Sequence, residues 1–266
     1  MTSFPPVFVI SLSGALDRRE KIKSRLDAQN IPFIFFDAVD GRSFDVPSLP
    51  FYDGTRRRAF FGRDMTGGEI GCLLSHKQIA QKMINEEIPF AVVLEDDAVL
   101  QPEFKEVVLS LMVTSYPWEL VRFLGSNKVS KLRQRTVAHL TPTHRLTRLS
   151  TAPGGTHALM LSLSGARKLV KSLSHVAFPV DMIMSRPWIS GLDLYTVQPG
   201  LAVQDLSFES SIGTSRNHKD PVDVTGWPRW IFPITKRWFK ITDVIMKRLT
   251  YWGAWMRDKN NRSLTR

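Results

Sequence analysis

Short apolar runs alternate with stretches of helical periodicity over the first two thirds of the chain. Val7-Phe-Val-Ile10, bounded by prolines and Ser11, predicts a buried strand. Residues 16–29 predict a helix, with Asp17 and Glu20 early and Ile22 and Leu26 four apart on one face. Residues 32–36 predict a second strand, closing a unit of about 30 residues, the size of a βαβ crossover. Residues 40–65 hold Gly, Pro, Asp and the triplet Arg56-Arg-Arg58 and predict a loop. Thr66 followed by Glu69 is a capping-box pattern ahead of apolar Ile70, Leu73, Leu74, Ile79 and Met83, which predicts a helix. Residues 90–94 form an apolar strand that stops at Glu95-Asp96-Asp97. A helix over 102–112, a strand over 120–124, a polar and basic stretch over 127–148, a strand over 156–161 and a helix over 164–173 follow. This alternation predicts an α/β fold with a mostly parallel central sheet.

The acidic triplet carries the most chemistry. Three carboxylates cannot enter a core uncompensated, so they are expected at the sheet edge, where open α/β sheets bind ligands beyond the strands' carboxyl ends. Hard oxygen ligands there suit Mg²⁺ or Mn²⁺ with substrate phosphates; the alternative is the acidic start of a solvated loop. Motifs for a P-loop, a dinucleotide fingerprint, a zinc protease and a hydrolase elbow are absent. Cys72 and His76 lie four apart on a predicted helix, but the chain offers no other cysteine, so a buried thiol is expected there rather than a zinc site.

Composition adds compartment and partners. A single cysteine among 266 residues excludes an intrachain disulfide. The first residues show no basic region followed by a long apolar run, and no apolar stretch approaches the roughly 20 residues that span a bilayer. A cytoplasmic chain is expected, peripheral on the inner face of the membrane. The net charge is +11, and residues 226–266 hold ten Lys/Arg against two Asp together with five of the seven tryptophans. Within that tail Ile234, Trp238, Ile241, Ile245, Leu249, Trp252 and Met256 recur at helical spacing. A basic, Trp-rich amphipathic helix either lies on an anionic membrane or packs on the domain with its basic face in water. A nucleic-acid-binding protein is the competing class, and the gathering of charge at one amphipathic end counts against it. The expected division is a catalytic domain over residues 1–225 and a tail over 226–266.

Several blocks resemble glycosyltransferase family 25: Val7-Phe-Val-Ile-Ser-Leu12 with Asp17-Arg18-Arg19, Phe36-Asp-Ala-Val-Asp-Gly41, the Thr66 to His76 block, Ala91-Val-Val-Leu-Glu-Asp-Asp97, Gly155-Thr156 through Gly165-Ala166, and Pro179-Val-Asp181. The resemblance runs over about residues 5–215 and is closest in kind to the bacterial lipo-oligosaccharide galactosyltransferases. It implies a GT-A-like nucleotide-sugar-binding domain, a UDP-hexose donor, a divalent cation, inversion at the anomeric carbon and a lipid-linked oligosaccharide acceptor. Asp97 is then the expected metal ligand, with Glu95 or Asp96 orienting the metal or meeting the donor ribose. Arg18 and Arg19 either reach the diphosphate or form an exposed helix flank. Inversion requires a base: Asp181 is the first candidate, unless it only caps the next helix, and Glu69, already assigned to a cap, is the second. Thr156 and His157 are expected to line the donor site, His157 with a structural role as the alternative. Arg216, beside His218 in the 210–216 segment, is expected on a closing loop or an ordinary surface loop. A catalytically silent member of the family is a further alternative, opposed by the intact acidic triplet.

Overall fold

The computed structural model describes residues 3–125, 129, 132–151, 154–207 and 228–263. In chain order they form β1 (Val7–Ser11), α1 (Leu16–Ala28), β2 (Ile34–Asp37), α2 (Gly54–Phe61), α3 (Gly67–Asn85), β3 (Phe90–Glu95), β4 (Ala98–Leu100), α4 (Phe104–Val113), β5 (Leu120–Arg122), β6 (Gln134–His139) and β7 (Arg145–Leu149). Then come β8 (Ala158–Ser162), α5 (Leu163–Ser172), α6 (Val180–Met184), α7 (Pro187–Ser190), β9 (Leu194–Gln198), β10 (Ala202–Gln204) and α8 (Pro228–Ser263). Eight strands make one sheet in the order β2-β1-β3-β8-β5-β9-β7-β6, and β4 pairs with β10 in a small antiparallel ribbon. Six of the eight point the same way; β8 and β7 run against them.

Alternation along the central strands splits the core into two layers. Phe8, Ile10, Ala91 and Val93 face α3, α5 and α6. Val7, Val9, Val92 and Leu94 face α1 and α4. Covering both faces is what makes these strands read as continuous apolar runs. Each such side chain contributes about 1.5–3 kcal/mol by leaving water.

Two segments depart from the sequence expectation. The basic triplet lies on a helix, α2, not in a loop. Asp53 accepts from the Arg56 backbone N–H at its start, and Gly62, at φ 72°, closes its end in the left-handed conformation. Arg57 is buried there, 4.3 Å over the Phe61 ring. Within the basic stretch 127–148, β6 and β7 form an antiparallel pair whose Arg135 and Arg148 turn inward to Asp258 of α8. Part of this polar and basic stretch therefore lines a buried ion cluster.

The tail is one helix, and it packs on the domain. Phe239 stacks against Phe60 at 4.9 Å, Asp243 pairs with Arg186 at 2.8 Å, and Asp258 is fully buried. The apolar row counted in the sequence faces outward: Ile234, Trp238, Ile241, Ile245, Leu249, Trp252 and Met256 are all exposed. The expected 225/226 domain boundary lies outside the described residues. No helix among the described residues is long and apolar enough to cross a membrane.

Candidate active site

Parallel strands β1 and β3 end side by side, Ile10 in register with Glu95, so Ser11 and the acidic triplet meet at one edge of the sheet. The turn Asp96-Asp97 joins β3 to β4, and both carboxylates are nearly buried. Asp96 accepts from Ser11 Oγ at 2.7 Å and Arg18 Nε at 2.8 Å. Asp97 accepts from Gln204 Nε2 on β10 at 2.7 Å, and a guanidinium nitrogen of Arg18 lies 3.5 Å away. The other oxygen, Asp97 Oδ1, is buried with no hydrogen-bond partner among the described residues. Burial and then the Glu95 charge push this carboxyl above its ordinary range, against the Gln204 hydrogen bond and Arg18. A buried carboxylate oxygen without a donor is costly, and a cation relieves that cost. The donor set therefore fits a hard divalent ion.

Glu95 behaves in the opposite way. Burial works against its charge, but His76, with Nε2 at 3.8 Å, the Thr156 hydroxyl and the charge of His157 outweigh it and hold the carboxyl at about 2. Thr156 thus reaches the site, donating to Glu95 Oε1. His157 braces the same edge: its carbonyl accepts from the Glu95 N–H at 2.9 Å, and its Nε2 lies 3.3 Å from the Ala202 carbonyl.

Asp181, on α6, joins this edge through the segment before β8. Its Oδ2 is 3.4 Å from the Gly155 N–H, one residue from the Thr156 that binds Glu95. Gly155 sits at φ 111°, and a Cβ on Gly154 would approach Asp181 Oδ2 to 2.8 Å, so the glycines let the backbone come this close. Arg122, fully buried at the end of β5, donates to the Asp181 carbonyl at 3.1 Å and to Ser185 Oγ at 2.9 Å, fixing α6 against the sheet. Burial pushes the Arg122 guanidinium down to about 10, and the Asp181 charge partly restores it.

Two candidates sit elsewhere. Arg19 points away from the acidic turn: it donates to the Ser11 and Leu12 carbonyls, pairs with Asp37 and lies over the Phe35 ring, clamping β1 to β2. Glu69 closes the Thr66 capping box, accepting from the Thr66 N–H at 3.0 Å, and lies 3.7 Å from buried Arg57. Those bonds give it the structural task the capping pattern predicted, and Asp181 stays the first candidate base with Glu69 the second. Arg18 is present at the site but holds Asp96 and Asp97. Arg216 and the 210–216 segment lie outside the described residues.

Sequence reasoning missed Ser11 and Gln204, which hold the two aspartates, and set His76 aside. Ser11 ends the first apolar run, which is a signal; Gln204, more than a hundred residues downstream on a three-residue strand, offers none. A narrow cleft lined by Ser11, Arg18, Cys72, Glu95, Asp97 and Gln204 opens over the turn. A larger cavity, about 680 Å³, lies at the opposite edge of the sheet, beside Glu119, Arg148, Lys168, Asp193 and Arg257. Its charges are already paired: Lys168 with Glu119, and Arg148 and Arg257 with Asp193. The carboxylate chemistry marks the smaller cleft as the site.

Residues 4–184 match the family described as glycosyltransferase family 25 (LPS biosynthesis protein). The chain belongs to glycosyltransferase family 25. The match ends with α6 and so includes both the acidic turn and Asp181. Among curated relatives, the probable inactive glycosyltransferase 25 family member 3 of Bos taurus is 35% identical over 184 residues, 64% of this chain and 29% of that protein. Its Rattus norvegicus counterpart is 34% identical over 67% of this chain and 32% of that protein. Procollagen galactosyltransferase 2 of Homo sapiens is 30% identical over 63% of this chain and 27% of that protein. The chain thus spans about a third or less of the length of these relatives. Among solved structures, a glycosyltransferase involved in the glycosylation of the major capsid of PBCV-1 superposes with TM-score 0.31 and 9% identity, over 65% of this chain and 66% of that one.

Proposed function

We propose that this family 25 member transfers a hexose, galactose first among the candidates, from a uridine-diphosphate donor to a lipid-linked oligosaccharide acceptor, with inversion. The observation that carries this reading is the buried Asp97 Oδ1 at the carboxyl edge of the sheet, without a hydrogen-bond partner among the described residues. Asp97 would hold Mn²⁺ or Mg²⁺, with Glu95 beside it, and the ion supplies charge neutralisation for the departing diphosphate. The chain's own residues do the rest. Arg18 and Ser11 hold Asp96 rigid, and Gln204 aims Asp97, so the edge is organised before the donor arrives. As the acceptor oxygen bonds to the anomeric carbon and the bond to the diphosphate breaks, Asp181 takes the acceptor's hydroxyl proton.

The outward row of α8 extends the reading to location. Trp230 and Trp238 stand exposed beside Lys236, Arg237 and Lys240, a composition that suits an anionic bilayer surface, and no nucleic-acid role is needed for the charge. A peripheral enzyme on the cytoplasmic membrane face would meet its lipid-linked acceptor there.

Two of the relatives compared carry the word inactive in their names, which favours a second reading: a member that binds a sugar nucleotide without turning it over. One experiment separates the readings. Purified protein is offered a panel of nucleotide sugars with an oligosaccharide acceptor, with Mn²⁺ or with chelator. Metal-dependent nucleotide release from one donor is expected. Asp181→Asn is expected to cut transfer by about 10²–10⁴-fold while donor affinity holds. Binding without release in the presence of acceptor would establish the silent reading, and no binding at all would sink both.

A further inference from the structure

Cys72 and His76 fall on one face of α3, and the end of β3 brings a third donor to them. Cys72 Sγ, a His76 ring nitrogen and a Glu95 carboxylate oxygen lie within 4.8 Å of one another. His76 is 2% exposed, and its Nε2 has no hydrogen-bond partner among the described residues. Glu95 Oε1 stands 3.8 Å from that nitrogen, beyond hydrogen-bond reach but near the separation of two ligands on one small cation. A desolvated ring nitrogen aimed at a carboxylate and left unbonded requires an explanation.

We propose that Cys72, His76 and Glu95 bind one soft divalent cation of the zinc class, which ties α3 to the end of β3. Sulfur, imidazole nitrogen and carboxylate oxygen together suit zinc, whereas Mg²⁺ and Mn²⁺ prefer all-oxygen sets such as that offered at Asp97. Three protein ligands leave a fourth position, and Cys72 and Glu95 both line the cleft, which gives the ion a way in. The Thr156 hydroxyl donates to Glu95 and orients the carboxylate as outer partners of metal sites do. On binding, the Cys72 thiol gives its proton to solvent, His76 binds as neutral imidazole, Glu95 is already an anion, and no electron moves. The ion would fix the first carboxylate of the acidic triplet from behind. The absence of a second cysteine argued against such a site in the sequence, and the tertiary fold supplies the missing ligand from 19 positions downstream of His76.

The test uses the full chain, stripped with chelator and titrated with Co²⁺ as a spectroscopic probe. A thiolate-to-cobalt charge-transfer band saturating at one equivalent, displaced by Zn²⁺, is expected. Cys72→Ser should lose the band, and His76→Gln should weaken binding at least about tenfold, with far-ultraviolet dichroism checking the fold of each. Asp97→Asn should keep the band, because Asp97 is not among the three ligands. The proposal therefore stands or falls independently of the transferase reading. A wild-type chain that shows no thiolate band, or a band that survives Cys72→Ser, overturns it and leaves His76 as a charge partner of Glu95 alone.

Discussion

Asp258 and Asp97 are both aspartates removed from solvent, and the protein treats them in opposite ways. Asp258 of α8 accepts from Arg148 at both oxygens, from Arg135 and from the Tyr116 hydroxyl at 3.0 Å. Burial opposes its charge, but those donors outweigh it and hold the carboxyl below its ordinary range. Asp97 has Gln204 on one oxygen and no hydrogen-bond partner on the other among the described residues, and its carboxyl is pushed up. One acid is fully used in holding a helix to a sheet. The other leaves one oxygen open among the described residues at some cost in stability, as the proposed cation position requires.

The largest test of that contrast is Asp258→Ala. It removes the counter-ion that Arg135 and Arg148 share and leaves Arg148 only Asp193, and a loss of about 3–5 kcal/mol in a denaturant titration is expected. A loss below about 1 kcal/mol would break the comparison. Asp97→Asn should do the reverse: metal-dependent donor turnover falling about 10²–10³-fold while the denaturation midpoint hardly moves. A large stability loss there would make Asp97 structural as well.

Acid titration sharpens the pair further. Asp258 has a folded-state pKa below its unfolded value of about 3.8, so the unfolded chain takes up this proton first. Its stabilisation is therefore complete above that value and is lost as pH falls toward the folded pKa. Asp258→Asn should flatten the acid limb of the stability curve below about pH 4, read by thermal melts across pH. The smallest effect is expected for Glu69→Gln: about 1 kcal/mol lost from the cap and from Arg57, with transfer retained. Abolished transfer in a folded Glu69→Gln variant would move Glu69 ahead of Asp181 as the candidate base.

Much of this edge was legible in the sequence because it depends on local patterns. The apolar run that stops at Glu95 predicted both the strand and the sheet-edge position of its acidic end, and Thr66 with Glu69 predicted the capping box the structure contains. The common direction of β1, β2, β3 and β5 follows the same alternation of strand and helix, whereas the reversal of β8 and β7 depends on pairing partners far along the chain. The burial of Arg148 and the inward turn of Arg135 are invisible in the sequence because their countercharge, Asp258, lies more than a hundred positions away. Residue type alone cannot tell a surface arginine from one whose partner arrives with the last helix.

The sequence by itself determined where the carboxylates fall, which segments are amphipathic and which family the blocks resemble, since all of these are properties of neighbours along the chain. Only the tertiary structure decided which charges are used up and which are left open. Arg19 was taken for a clamp, Arg18 for a brace, Gln204 was brought to one oxygen of Asp97, and the apolar row of α8 was turned outward. Hydrogen bonds and ion pairs saturate, so the role of a charged group is set by the partners that fold against it, and those come from anywhere in the chain.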